Sequence, residues 1–218
     1  MKIKNLLLAL IPISLVFILS GCAIKRGEVT IKQEAKETKV NTNSQLSVYI
    51  KEVKDNRTFE FNPIDPNIPS LSPDEINTNE VKTRAIARKR NAYGKGLGDI
   101  LLKKGQTVSS LMKENIEIAF KELGYKVIKD EKNITTDTKI VNVDINKFWS
   151  WMTPGFWAIT LSTEISTNLK INTINKEEIN VFTKDYYSVG TESNYVKVIK
   201  TALKMHIEEV KTKIDKMP

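Results

Sequence analysis

Val141-Asn142-Val143-Asp144-Ile145, carried on to Trp149, and then Trp157-Ala158-Ile159-Thr160-Leu161-Ser162-Thr163-Glu164-Ile165-Ser166-Thr167-Asn168-Leu169-Lys170-Ile171 form the stretch whose reading decides the fold. Apolar and polar residues alternate with period two, the signature of strands with one face buried and one wet. Val141, Val143, Ile145 and Trp149 fall on one face, with Asn142, Asp144 and Asn146 on the other. The odd positions from Trp157 to Ile171 repeat the pattern, so the two runs predict an antiparallel pair in which Trp149 and Trp157 both enter the core. A turn near Asn175-Lys176 leads to a third strand with Ile179, Val181, Thr183 and Tyr187 inward.

Outward from this hairpin the periodicity changes to that of helices. Thr107 has N-cap chemistry, and Val108, Leu111, Met112, Ile116, Ala119 and Leu123 lie at three- and four-residue steps before the stop at Gly124. Val196, Ile199, Leu203, His206, Ile207, Val210 and Ile214 make a second apolar stripe. Tyr125–Ile128 is too short and β-branched to continue a helix, and Leu46, Val48 and Ile50 alternate as an opening strand that stops in the turn chemistry of Asp55-Asn56-Arg57. The expected fold is α+β, a two-layer sandwich in which two amphipathic helices cover one face of an antiparallel-rich mixed sheet. Residues 59–73 hold Pro63, Pro66, Pro69 and Pro73 and are expected to be a long loop.

The amino terminus carries an address. Lys2 and Lys4 precede a fourteen-residue apolar run, Leu6 to Leu19, and small Ser20 and Gly21 stand before Cys22. Leu19-Ser20-Gly21-Cys22 reads as a lipobox, and the run is shorter than the ~20 residues that cross a bilayer. Residues 1–21 are therefore expected to be a lipoprotein signal peptide, Cys22 the acylated first residue, and 22–45, poor in large apolar side chains, a flexible tether. Residues 46–218 remain as a single α+β domain. Ala23 and Ile24 follow the cysteine where an inner-membrane retention signal would place Asp, so an outer-membrane location facing the periplasm is expected.

Composition excludes several chemistries. Cys22 is the only cysteine and His206 the only histidine. Disulfides, thiol catalysis and Cys or His metal clusters are thus ruled out for the mature chain. His206 lies on an inward helical stripe and is expected to be structural. Gly94, Gly96 and Gly98 lack the Gly-Lys-Ser/Thr ending of a phosphate loop. No acidic cluster has metal-ligand spacing, and no nucleophile, base and orienting group assemble. The reading is of a non-enzymatic binding or scaffold module without cofactor or nucleic-acid partner, against the alternative of an envelope hydrolase or transferase of unrecognised type.

Two stretches are candidate contact surfaces. Losing Lys2 and Lys4 with the leader lowers the formal charge from +8 to +6. An equal excess is concentrated between Glu80 and Lys104, where Lys82, Arg84, Arg88, Lys89, Arg90 and Lys95 are candidates for a basic surface facing lipid headgroups or wall polymer. The conformation of this stretch, edge strand or helix, stays open. All three Trp lie in Phe148–Trp157. Trp151, Met152 and Phe156 flank the Pro154-Gly155 turn, either to contact a membrane or partner or to fold over the open end of the sandwich.

The lipobox, the strand into Asp55-Asn56-Arg57, Tyr93-Gly94 ahead of a helix that ends in Leu123-Gly124-Tyr125, and the alternating strands beyond resemble the YajG-like outer-membrane lipoproteins. That resemblance implies a periplasm-facing envelope lipoprotein and carries over no functional residues. The Pro-rich insertion and the Trp-rich hairpin depart from the family pattern. The expected partners are the membrane, through the lipid on Cys22, and an envelope protein or peptidoglycan.

Overall fold

The alternating residues of 138–187 form one long antiparallel meander, and the remaining strands attach to its first member. A computed structural model of the chain describes residues 26–35, 46–91, 93–172 and 175–216; the expected signal peptide, residues 1–21, and the expected lipidation site Cys22 lie outside the described residues. The strands are β1 (Gly27–Val29), β2 (Ser47–Asp55), β3 (Ala85–Arg90), β4 (Gly96–Leu102), β5 (Lys126–Ile128), β6 (Thr138–Pro154), β7 (Ile159–Ile171) and β8 (Asn175–Tyr187). The helices are α1 (Asn79–Arg84), α2 (Val108–Glu122) and α3 (Glu192–Asp215).

All eight strands belong to one mixed sheet. β6 pairs along one edge with β7, which pairs with β8, both antiparallel. Its other edge is shared: the first half takes β2 in parallel, with β5 beyond, and Ser150 pairs with Ala87 of β3, which continues to β4 and β1. β3 and β6 therefore run to the same end of the sheet.

One face is covered by α2 and α3 as expected. Val141, Val143, Ile145, Leu161, Ile165 and Leu169 bury against Leu111, Met112, Ile116, Leu203, Ile207 and Val210. Thr107 caps α2 through its side chain, accepting from Ser110 N at 3.1 Å, and Gly124 leaves the helix at φ +84°. The fold is α+β, two helices on a sheet.

Two readings of the fold need correction. The first concerns parity. Between Ile145 and Lys147 the register of β6 against β7 shifts, with Asn146 the extra residue. One inserted residue sends every later side chain to the opposite face. Phe148 thus joins Ile145 under the helices, and Trp149 turns to the far face, where it packs with Leu71, Val81, Ala85 and Leu101.

The second concerns residues 22–45. Polar composition predicts a tether, yet β1 lies within it, paired parallel to β4, and Ile31 is buried in the main core. β4 would otherwise present an open edge, and three backbone pairings with one well-placed Ile offset the ordering cost. Gln106 brackets the same residue, accepting from Ile31 N at 3.1 Å and donating to Ile31 O at 2.7 Å.

The basic stretch, whose conformation the sequence left open, becomes α1, β3 and β4 in succession. The Pro-rich segment is a loop, as its composition requires. It lies over the far face of the sheet as a second, smaller core around Trp149.

Candidate functional site

The Trp hairpin and the later part of the basic stretch meet at the end of the sheet reached by β3 and β6, whereas Lys82 and Arg84 precede β3 in α1, and internal contacts decide which of these side chains face solvent. Arg57, expected in a turn, is buried. Its guanidinium donates to Ala85 O (2.6 Å), Phe148 O (3.1 Å) and Lys82 O (2.8 Å) and binds both carboxylate oxygens of Asp55 at 2.8 Å. This ties the end of β2 to β3 and β6. Phe59 sits edge-on to Trp149 with centroids 6.0 Å apart, and Trp149 Nε1 donates to Pro66 O at 3.1 Å.

Most of the six basic candidates are engaged within the fold, which corrects their reading as a surface. Arg84 is buried and paired with Glu28 and Glu80. Arg88 donates to buried Asp99 at 2.8 Å, while Asp99 also accepts from Ser72 N and Oγ. Lys89 meets Glu192 at 2.9 Å. Arg90 lies under the Pro-rich loop, donating to Pro63 O (2.7 Å) and Ser70 Oγ (3.0 Å). Burial, and then the neighbouring charge of Arg88, holds its pKa below the ordinary guanidinium value. Lys82 is half-buried; Lys95 alone of the six is fully exposed. Arg84 holds β1 in place, and Arg88 and Arg90 hold the Pro-rich loop.

The aromatic candidates separate differently. Trp151 is half-buried, 6.0 Å from the ring of Phe182, and Met152 packs against the main core. Phe156 and Trp157 are both 90% exposed, packed edge to face at 4.8 Å on the β6–β7 turn. Trp157 was expected inside, but β7 begins at Ile159, so the turn leaves it outside the ladder.

Sequence reasoning missed three partners in this exposure: Phe61, Ile64 and Tyr93. Ile64 and Tyr93 are more than 90% exposed, and Phe61 is 68% exposed. With Arg88, Arg90 and Lys95 they line a groove of ≈ 640 Å³. A second groove of ≈ 340 Å³ shares Ile64, Arg90 and Tyr93 and extends to Met152–Pro154 at the foot of the Trp hairpin. The only available signal was a run of apolar residues among prolines and glycines, where no strand parity assigns a side.

Of the titratable candidates elsewhere, His206, Asp144 and Glu164 are engaged by partners within the fold. His206 is fully buried between Asn115 Oδ1 (2.7 Å from Nδ1) and Thr167 Oγ1 (2.9 Å from Nε2). Asn115 Nδ2 donates to Gln33 Oε1 and Leu203 O, so Oδ1 accepts, Nδ1 carries the proton and Nε2 receives the Thr167 hydroxyl. Burial pushes the imidazole pKa down to about 3. Asp144 pairs with Lys170, whose hydrogen bond holds its carboxyl below the usual range, and Glu164 pairs with Lys147. Asp185 is exposed at the end of β8. Among the described residues no three His, Cys, Asp or Glu side chains gather as metal ligands. The exposed end of the sheet offers apolar side chains with a few cations.

No family model matches the chain, and no curated protein matches it. Solved structures are similar to it only at a low level. A Xanthomonas campestris protein of a family of unknown function has 12% identity and a TM-score of 0.47, covering 87% of this chain and 94% of that one. A minor lipoprotein from Acinetobacter baumannii has 10% identity and a TM-score of 0.34 over 50% of this chain and 89% of that one. A Helicobacter pylori homologue of a neuraminyllactose-binding hemagglutinin has 14% identity and a TM-score of 0.34 over 87% and 94%. Likenesses of this strength assign neither family nor activity, and the resemblance to YajG-like lipoproteins rests on the sequence pattern.

Proposed function

We propose that this protein is a lipid-anchored envelope protein that acts by binding, with Cys22 as its acylated residue and the outer membrane, on the periplasmic side, as its location. The observation that carries the reading is the succession of lipobox and fold. The chain passes from Cys22 to the sheet edge at Gly27 within five residues. Two or three acyl chains suffice for stable attachment, since each buried methylene contributes ~0.8 kcal/mol. Among the described residues no helix is long and apolar enough to cross a membrane. A non-enzymatic role is supported by the engagement of His206, Asp144 and Glu164 in structural pairs and by a groove whose exposed groups are aromatic and cationic. The partner is an envelope protein or peptidoglycan.

Intact mass of the protein extracted from its membrane tests the anchor. The expected species begins at Cys22 and carries the lipid mass, and Cys22→Ala accumulates unprocessed. A mature chain that starts elsewhere without lipid overturns the reading. Crosslinking in the native envelope followed by mass spectrometry identifies the partner, and turnover of wall polymer by the purified protein would replace binding with catalysis.

A further inference from the structure

The exposed aromatics and the point where the chain joins the sheet lie at the same end of the molecule. β1 runs parallel to β4, with Gly27 opposite Ile100. The amino-terminal end of β1 therefore points to the end of the sheet where β4 begins at Gly96, four positions before Ile100, or about 13 Å at ~3.3 Å per residue. Cys22 is five residues before Gly27, a reach of at most ~18 Å. The β3–β4 turn at that end carries Tyr93, and the β6–β7 turn carries Phe156 and Trp157. The Pro-rich loop adds Phe61 and Ile64, fixed from beneath by Arg90.

We infer that this end of the sheet rests on the lipid bilayer that holds the acyl chains of Cys22, with Phe61, Ile64, Tyr93, Phe156 and Trp157 at the headgroup boundary. The inference rests on the anchoring of Cys22 proposed above. A linker this short keeps the end of the domain near the membrane surface. Exposed rings with polar edges are the side chains that favour the interfacial layer. Charge has a secondary part: Lys95 and Arg90, whose described acceptors are neutral, lie in the groove, and Asp65 is close by in sequence to Ile64. Contact with lipid is accordingly expected to persist at high salt and on zwitterionic bilayers. The opposite end of the sheet, bearing Ser47, Thr138 and the carboxyl-terminal part of α3, then faces away from the bilayer.

The test uses the full protein extracted from membranes and reconstituted into zwitterionic vesicles whose acyl chains are brominated near the headgroup. Bromine quenches nearby indoles. Of the three Trp, Trp149 is buried and Trp151 half-buried, so contact through Trp157 predicts loss of roughly one third of the emission, unchanged by salt. Trp157→Phe, at an exposed position, abolishes the loss without changing the melt, and adding Tyr93→Trp restores it. Unquenched Trp157, or unquenched Trp at position 93, overturns the inference, as does protection of Trp157 by a second copy shown by concentration-dependent crosslinking. The intact mass of the same sample reports acylation separately. A chain retained by an uncleaved leader is still held to the vesicle, so failure of the anchor and failure of the docked end are read independently.

Discussion

Trp149 and Trp157 are the same residue type on one hairpin, and the fold gives them opposite environments. Trp149 is 1% exposed, enclosed by Leu71, Ala85 and Leu101 and hydrogen-bonded to Pro66 O, whereas Trp157 stands in solvent. We expect Trp149→Ala to cost ~3 to 5 kcal/mol by opening a cavity, and Trp157→Ala to stay within ~0.5 kcal/mol. Urea melts of the two variants decide between this assignment and one that buries both. His206 supplies a pH dependence whose sign is fixed by burial. The unfolded imidazole titrates near ~6.5, while the folded one stays neutral down to about 3. Between those values the unfolded chain binds the extra proton, so His206 costs no stability above the unfolded pKa and an increasing amount as pH falls below it. From pH 7.5 to 5.5 its share of the loss is ~1.4 kcal/mol. Denaturant melts at both pH values should show wild type losing that much more than His206→Gln; equal losses would mean that His206 is protonated in the fold.

At the scale of elements, the bulge in β6 is the decisive device. Seventeen residues of β6 serve two cores because Asn146 shifts the alternation, directing Phe148 to the helices and Trp149 to the Pro-rich loop. Deleting Asn146 would restore simple alternation and drive each side chain beyond it to the wrong face. The expected outcome is loss of the cooperative transition and of near-ultraviolet Trp dichroism, whereas Asn146→Ala, which retains the extra residue at an exposed position, keeps both. A folded deletion variant with native dichroism would show that the register is set elsewhere. The helices needed no such device: Thr107, Gly124 and the spacing of Leu111, Met112 and Ile116 marked α2 in the sequence, and the same logic marked α3. α1 and β3 were ambiguous because Val81, Thr83, Ala85 and Ala87 fit both periods, and the chain uses both, a helix to Arg84 and a strand from Ala85.

At the scale of the whole molecule, the amino-terminal segment belongs to the domain. Ile31 is buried at the end of β1, and Gln33 Nε2 donates to Leu111 O at 2.8 Å while its oxygen accepts from Asn115. Ile31→Ala is expected to lower the stability of the full protein by ~2 to 5 kcal/mol; a thermal melt unchanged by the substitution would restore the picture of a domain that starts at residue 46. Period alone determined the two helices, the β6–β8 meander and the α+β class, because amphipathic faces are encoded locally and must be buried against one another. The lipobox proposed at Leu19-Ser20-Gly21-Cys22 is likewise a local reading. The tertiary structure alone decided which cations are surface and which are internal, since Arg57, Arg84 and Arg90 are recognised as buried only when their carbonyl and carboxylate partners arrive from distant segments. It decided the faces of the three Trp, because one bulged residue and a strand that starts two positions late reverse a parity that composition cannot reveal. It also brought Phe61, Ile64 and Tyr93 beside the Trp hairpin, a juxtaposition of segments up to about a hundred residues apart that arises from strand pairing and has no local signal.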